Sequence, residues 1–384
     1  EEIMVRVAKN ITFILLILES IMPAAHSQSN DILFENPLDG VQKAEWIDNP
    51  TTFVDHPKFG KAFHLQSAKS EYPTTSCWIG DESWGPYRVE FECLCEGEGG
   101  GFIGLDFFVS NDGEHGCNFE FYIPKSGDQI AFEHTGRWGK NAVWKLWPFS
   151  PPQKIFAKEK WIPLRLDAGE TIANLYANGD PNPAYTIYDL PFSKGGVRFW
   201  EYYGSAYFRN LRVTKLAPGD VKPILDDVWE KSSRQIVIKE WQITPKQTPE
   251  FGTDKIPDEL KTIAWKPLSS DRRGIVNLTA QFPSDMEKGV VFAKTSIQSK
   301  EKAVKKALTS YTDRLTVWIN GEKAFQGPPR GFYDPGRSFE DGFGRILPDQ
   351  FEFEIKLKPG ENEILLRSEL TEPRWGWGYW MRVE

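Results

Sequence analysis

The stretch Tyr87-Arg88-Val89-Glu90-Phe91-Glu92-Cys93-Leu94-Cys95 puts Tyr87, Val89, Phe91, Cys93 and Cys95 at alternate positions, with Arg88, Glu90 and Glu92 between them. Successive strand side chains point to opposite faces, so this period of two describes a strand with one buried and one polar face. The pattern recurs downstream. In Phe102–Val109, Ile103, Leu105 and Phe107 oppose Phe102, Asp106 and Phe108. In Asn118–Ile123, Phe119, Phe121 and Ile123 oppose Glu120 and Tyr122. Further strands are expected at 161–167, 171–177, 196–202 and 207–216. Alternating strands broken by Gly, Pro, Asn and Asp predict an antiparallel two-sheet sandwich over residues 28–216.

Pro218, Gly219 and Pro223 then punctuate the chain, and Ile224 to Glu230 has a helix-like pattern, so 217–234 reads as a linker with one short helix. A second strand-rich unit is expected over 235–384, with strands at 236–241, 274–282, 290–296, 315–319, 351–357 and 363–367. Asn320-Gly321 and Pro359-Gly360 are expected hairpin turns. The Lys-rich 299–308 segment reads as a helical turn or an exposed loop. The fold class is therefore all-β, two antiparallel β-sandwiches.

The 384 residues carry a net charge of -8 and no long Lys/Arg run, which argues against nucleic acid as a partner. Arg6 and Lys9 precede an apolar run from Ile11 to Leu18, and Ala25-His26-Ser27 offers small residues at a cleavage site. Segment 1–27 thus reads as a secretory signal peptide, implying a secreted or periplasmic protein with no membrane attachment after cleavage. Cys77, Cys93, Cys95 and Cys117 fall in one stretch, where buried thiols or one local disulfide are favoured over a metal site.

Three segments carry a family resemblance: Leu33-Phe34-Glu35-Asn36-Pro37-Leu38-Asp39-Gly40 through Trp46, the Trp161–Leu166 strand, and the closing Gly204-Ser205-Ala206-Tyr207-Phe208-Arg209-Asn210-Leu211-Arg212-Val213. On these, residues 32–216 resemble a concanavalin A-like (laminin-G-like) jelly roll, and particularly the 3-keto-disaccharide hydrolase family. Where that family carries Gln and His ahead of a Gly, this chain has Glu201 and Tyr203 ahead of Gly204, so the family's natural base is missing. Trp241–Pro245, Ile263–Leu268, Asp313–Gly321 and Leu357–Arg367 resemble a galactose-binding-like β-sandwich, a second jelly roll found beside many glycoside hydrolases. The two resemblances imply a polysaccharide or oligosaccharide partner, with the second sandwich assisting binding or packing against the first.

Fifteen Trp exceed what core filling usually needs. Sugar rings stack on Trp and Tyr while their hydroxyls bond carboxylates, amides and Arg. The candidate carbohydrate-binding residues are Arg198, Trp200 and Tyr202, which share one side of a strand, with Trp138 and Trp144 in a Gly-containing segment. A hydrolase or lyase would use Asp106, Glu120 or Glu201, two carboxylates serving as acid and base or nucleophile. The plainer reading makes Glu90, Glu92, Asp106 and Glu120 a solvated sheet face. A third alternative is a structural or adhesion module of a cell-surface complex. A second candidate cluster spans 327–349 with Trp375, Trp377, Tyr379 and Trp380 as neighbours. Asn111-Asp112-Gly113-Glu114 and Asn178-Gly179-Asp180 offer oxygen ligands, but such turns usually form without metal. No cofactor is expected beyond a structural calcium there.

Overall fold

The alternating segments pair into four sheets. The structure, a computed structural model, describes residues 31–36, 52–66, 75–96, 102–113, 115–122, 131–138, 141–143, 146, 160–202, 205–222, 236–253, 255–282, 287–330, 345–372 and 376–384. The expected signal segment and the 224–230 helix lie outside them. Residues 33–384 form one compact unit, described here by itself.

The first half contributes β1 (Ile32–Asn36), β2 (Thr52–His56), β3 (Gly60–Gln66), β4 (Thr75–Ile79), β5 (Tyr87–Glu96), β6 (Phe102–Val109), β7 (His115–Tyr122), β8 (Ala131–Trp138), β9 (Asn141–Val143), β10 (Ile162–Ala168), β11 (Ile172–Ala177), β12 (Tyr185–Tyr188), β13 (Gly196–Tyr202) and β14 (Ser205–Lys215). They form an eight-stranded sheet, β12-β11-β10-β5-β14-β3-β2 with β1 beside β14, and a six-stranded sheet, β4-β13-β6-β7-β8-β9. The second half contributes β15 (Ile236–Val237), β16 (Glu240–Ile243), β17 (Lys266–Ser269), β18 (Val276–Asn277), β19 (Gly289–Ser299), β20 (Ala303–Tyr311), β21 (Arg314–Ile319), β22 (Glu322–Gln326), β23 (Phe351–Leu357), β24 (Gly360–Leu370) and β25 (Gly378–Val383). These build a five-stranded sheet, β15-β25-β20-β23 with β18 beside β25, and a six-stranded sheet, β17-β16-β19-β24-β21-β22. Neighbours are antiparallel, as in β5 with β10 and β19 with β24. Inward positions fill two cores, one around Tyr87, Phe91, Phe107, Phe119 and Phe199, the other around Ile243, Val291, Val317, Leu366 and Tyr379. The all-β class with antiparallel sandwiches is as expected.

Several local expectations are corrected. The consecutive strands β5 and β6 belong to different sheets, so Glu90 and Glu92 cannot converge with Asp106 and Glu120. Phe108 joins Phe107 in the core because it sits at φ 54, where the β6–β13 register shifts beside Gly196. Such a bulge turns an extra residue to a face that strict alternation denies it. Segment 299–308 is mostly strand, the end of β19 and the start of β20. Within 274–282 only Val276–Asn277 is strand, followed by a 3-10 turn at Thr279–Gln281. Asn320 and Gly321, at φ 51 and 85, do close the β21–β22 hairpin, as a two-residue turn with positive φ requires. Pro359-Gly360 instead joins strands of opposite sheets, β23 pairing with β20 and β24 with β19. Trp377, Tyr379 and Trp380, neighbours of the second candidate cluster, are buried in the core. Cys77, Cys93 and Cys117 are buried, and burial pushes the thiols of Cys77 and Cys117 up.

The Tyr87 hydroxyl crosses the first core. It donates to Gly196 O at 3.1 Å and accepts from Phe108 N at 2.8 Å, pairing backbone groups at the bulge. Tyr87→Phe should strand both groups and cost about 1–3 kcal/mol in urea unfolding. A value near zero would show that the bulge does not depend on this bond.

The sandwiches meet where Leu146 and Phe192 pack with Ile275, Leu308, Ile346 and Trp380. Arg272 N donates to Asp189 Oδ2 at 2.7 Å, Arg273 Nη2 donates to Thr186 O at 3.3 Å, and both guanidinium groups lie within 5 Å of the Tyr188 ring centre, at 4.9 and 4.8 Å. Beside them, burial pushes the Asp271 carboxyl up to about 6, with Arg273 opposing and Asp189 adding to the rise. The unfolded carboxyl ionises near 3.8. Between these values the folded chain holds the extra proton, so stability falls as pH rises from about 4 to 6 and stays reduced above that. Asp271→Asn keeps an acceptor for Ile275 N, bonded at 2.8 Å. It should melt higher than the parent at pH 7.5 and level with it near pH 4. A lower melting temperature at pH 7.5 would mean that attraction to Arg273 outweighs burial.

Candidate functional site

The outer face of the β4-β13-β6-β7-β8-β9 sheet holds the polar residues that alternation turns away from the core. Register sets them in rows. Trp78, Arg198, Asp106, Asn118 and Thr135 are paired across β4, β13, β6, β7 and β8. The next row runs Ser76, Trp200, Gly104, Glu120 and Glu133.

This face is not solvated. Asp106 and Glu120 are each 3% exposed, Asn118 8% and Trp200 9%. Asp106 is the hub of the first row. Its Oδ2 accepts from Arg198 Nε at 2.6 Å and also from Nη2, while its Oδ1 accepts from Trp200 Nε1 at 2.9 Å. Both carboxylate oxygens are engaged in holding other side chains, so Asp106 is a positioning residue and not a free acid or base. A buried carboxylate is retained only when paired and hydrogen-bonded in this way.

Two glycines let the indoles lie flat on the sheet. A Cβ on Gly104 would fall 1.8 Å from Trp200 Cε2 and 2.0 Å from its Nε1. One on Gly196 would fall 2.8 Å from Trp78 Nε1. Each ring therefore occupies space that any other residue would fill.

Hydrogen-bonding capacity is left over along the row. Arg198 uses Nε and Nη2 on Asp106, and among the described residues its Nη1 takes no partner; the turn at Gly113 passes close to it, 3.7 Å from where a Cβ would stand. Asn118 Oδ1 and Trp78 Nε1 are buried and also unpartnered among the described residues. Such stranded groups are uncommon in folded proteins and call for a reason.

The expected site residues divide accordingly. Arg198, Trp200, Asp106 and Glu120 come together on this face. Glu201 does not: it is paired with Ile103, shares the inward face and is 0% exposed, so it cannot work with Asp106 or Glu120. Tyr202 is paired with Phe102 at the end of β13. Trp138 is paired with His115 at the end of the β7–β8 ladder. Trp144 lies outside the described residues. Asn118 and Trp78 were missed, although Asn118 precedes Glu120 by two in the same alternating strand and was legible there. Trp78 was not, because β4 lacks a clear alternation. The oxygen-rich turns serve as caps, Asp180 Oδ1 accepting from Asn182 N at 2.8 Å and Asp112 Oδ1 from Ser110 Oγ at 2.5 Å. Among the described residues no three His, Cys, Asp or Glu gather to hold a metal ion.

No family model and no curated protein matches the chain. Solved structures are similar to part of it. A carbohydrate binding module, CBM66, from Bacillus subtilis is 17% identical, covering 43% of this chain and 92% of its own, with a TM-score of 0.32. A protein of unknown function with a galectin-like fold from Bacillus subtilis is 14% identical over 49% of this chain and 97% of its own, with a TM-score of 0.37. A Bacillus licheniformis β-glucanase is 11% identical over 50% of this chain and 100% of its own, with a TM-score of 0.33. Likenesses at this level carry no argument about activity.

Gly104→Ala must displace the Trp200 indole and with it the bond to Asp106. Overpacking of this kind should cost about 1–3 kcal/mol in denaturant unfolding and change the tryptophan near-UV signal. An unchanged signal would mean that the ring does not rest on Gly104.

Proposed function

We propose that the protein binds a carbohydrate on the outer face of the β4-β13-β6-β7-β8-β9 sheet. The carrying observation is the Asp106 hub: one carboxylate fixes both a guanidinium and an indole, leaving Arg198 Nη1 without a partner among the described residues. Preorganised donors and acceptors beside flat aromatic rings suit a polyhydroxylated ring, whose hydroxyls bond while its C–H faces stack. The Trp200 ring is largely covered, so it acts here as a wall and an anchor more than as an open platform.

The hydrolase reading has weaker support, since both oxygens of Asp106 are engaged by Arg198 and Trp200 and Glu201 faces the core. In the second sandwich, a cleft of about 730 Å³ beside Gln242, Lys294, Ser296 and Glu363 supports an accessory binding role. Export follows from the leader-like 1–27 segment and suits an extracellular glycan.

Affinity gels containing a panel of polysaccharides test this reading, with the full chain expected to be retarded by at least one. Arg198→Lys keeps the charge beside Asp106 but loses the guanidinium fork. It should weaken that retardation at least tenfold with a melting temperature within a few degrees of the parent. No retardation on any polysaccharide would sink the reading.

A further inference from the structure

We propose that the second sandwich is a clamp on the first. It closes the side where β9 and β12 end the two sheets, and Leu146 is the positioning residue that holds β8 and β9 in place. The proposal goes beyond the glycan-binding reading and does not depend on it. β12 and β9 are the last strands of the eight-stranded and six-stranded sheets. They end on the same side of the sandwich: Phe119 of β7 meets Tyr185 of β12 edge-on at 5.8 Å, while Phe91 of β5 meets Phe199 of β13 further in, at 5.0 Å. Edge strands carry unpaired backbone groups and open first unless something covers them. β9 is the shorter of the two, three residues running from Asn141 opposite Trp138 to Val143 opposite Gly136.

The second sandwich meets both edges. Three residues past β9, Leu146 is fully buried among Ile275, Leu308, Ile346 and Trp380, all contributed by the second sandwich. Its seat includes the space a side chain on Gly378 would take, since a Cβ there would fall 2.6 Å from Leu146 Cδ2 and 2.4 Å from Val276 O. Three residues reach at most about 11 Å, so anchoring Leu146 limits how far Val143 can travel. At β12 the contact is polar. Arg273 Nη2 donates to Thr186 O, Arg272 N donates to Asp189 Oδ2, and both guanidinium groups lie against the Tyr188 ring. One edge is therefore held by apolar burial and the other by cations, so each half of the clamp can be loosened separately. The outer rows described above reach β8, where Thr135 and Glu133 are paired with Asn118 and Glu120. If β9 opened, β8 would become the edge of that face.

Hydrogen–deuterium exchange of the full chain, read strand by strand, tests this. Leu146→Ala empties the seat. Amides of β8 and β9 should then gain at least tenfold more exchange than those of β3 and β4, on the opposite side of the sandwich. Leu146→Met, close to Leu in volume, should restore slow exchange. Arg273→Met should speed exchange at β12 and spare β9. Should Leu146→Ala not fold, Leu146→Val reads the same strands with a smaller loss. Parental exchange at β8 and β9 in the folded variants would overturn the proposal. An equal rise in every strand would also overturn it, since Leu146 would then be a general core residue with no particular hold on β9.

Discussion

The Tyr87 hydroxyl sets the geometry on which the first sandwich depends. Reaching from the eight-stranded sheet, it bonds Gly196 O and Phe108 N in the six-stranded sheet, at the point where β6 and β13 shift register. A one-residue slip in a strand turns every side chain to the other face. By holding the bulge, this bond ties together the two partners whose register places Arg198 opposite Asp106 and Trp200 opposite Gly104. It also lets Phe108 fill the core beside Phe107 without moving Asp106 inward.

The outer row inverts the usual division of a sandwich sheet into dry and wet faces. Asp106, Asn118 and Glu120 are nearly as buried as the core residues behind them. Burying an ion pair contributes little to stability, because desolvation offsets attraction. What the Asp106–Arg198 pair does contribute is orientation: a planar guanidinium bonded through two nitrogens has few conformations left, and Trp200 is fixed by the remaining carboxylate oxygen. Gly104 and Gly196 extend the same logic, giving up side chains so that indoles can approach the sheet.

The two sandwiches are joined by a mixed contact. Leu146 and Trp380 supply apolar packing, while Tyr188 sits beside the guanidinium groups of Arg272 and Arg273. Trp380 Nε1 donates to Arg273 O at 2.9 Å, so the apolar and cationic parts share one strand end. The raised Asp271 carboxyl belongs to this contact and has no place in the outer face. It makes the junction sensitive to acidity while the candidate binding row stays separate from it.

Alternation determined much of this protein directly. The period-two pattern of Tyr87–Cys95 and its counterparts named the strands and their inward residues, and it placed Asp106, Glu120, Arg198 and Trp200 on polar faces. Asn320-Gly321 named its own hairpin, because positive φ is a local requirement. Tertiary structure alone decided which sheet each strand joined, and so parted Glu90 and Glu92 from Asp106 and Glu120. It also put Glu201 in the core and Phe108 across a bulge, left Asn118 Oδ1 without a partner among the described residues, and made a buried layer of what sequence reads as a solvated face. The reason is physical: a local pattern reports the direction of a side chain relative to its own strand, whereas register, sheet membership and burial depend on residues far away in the chain.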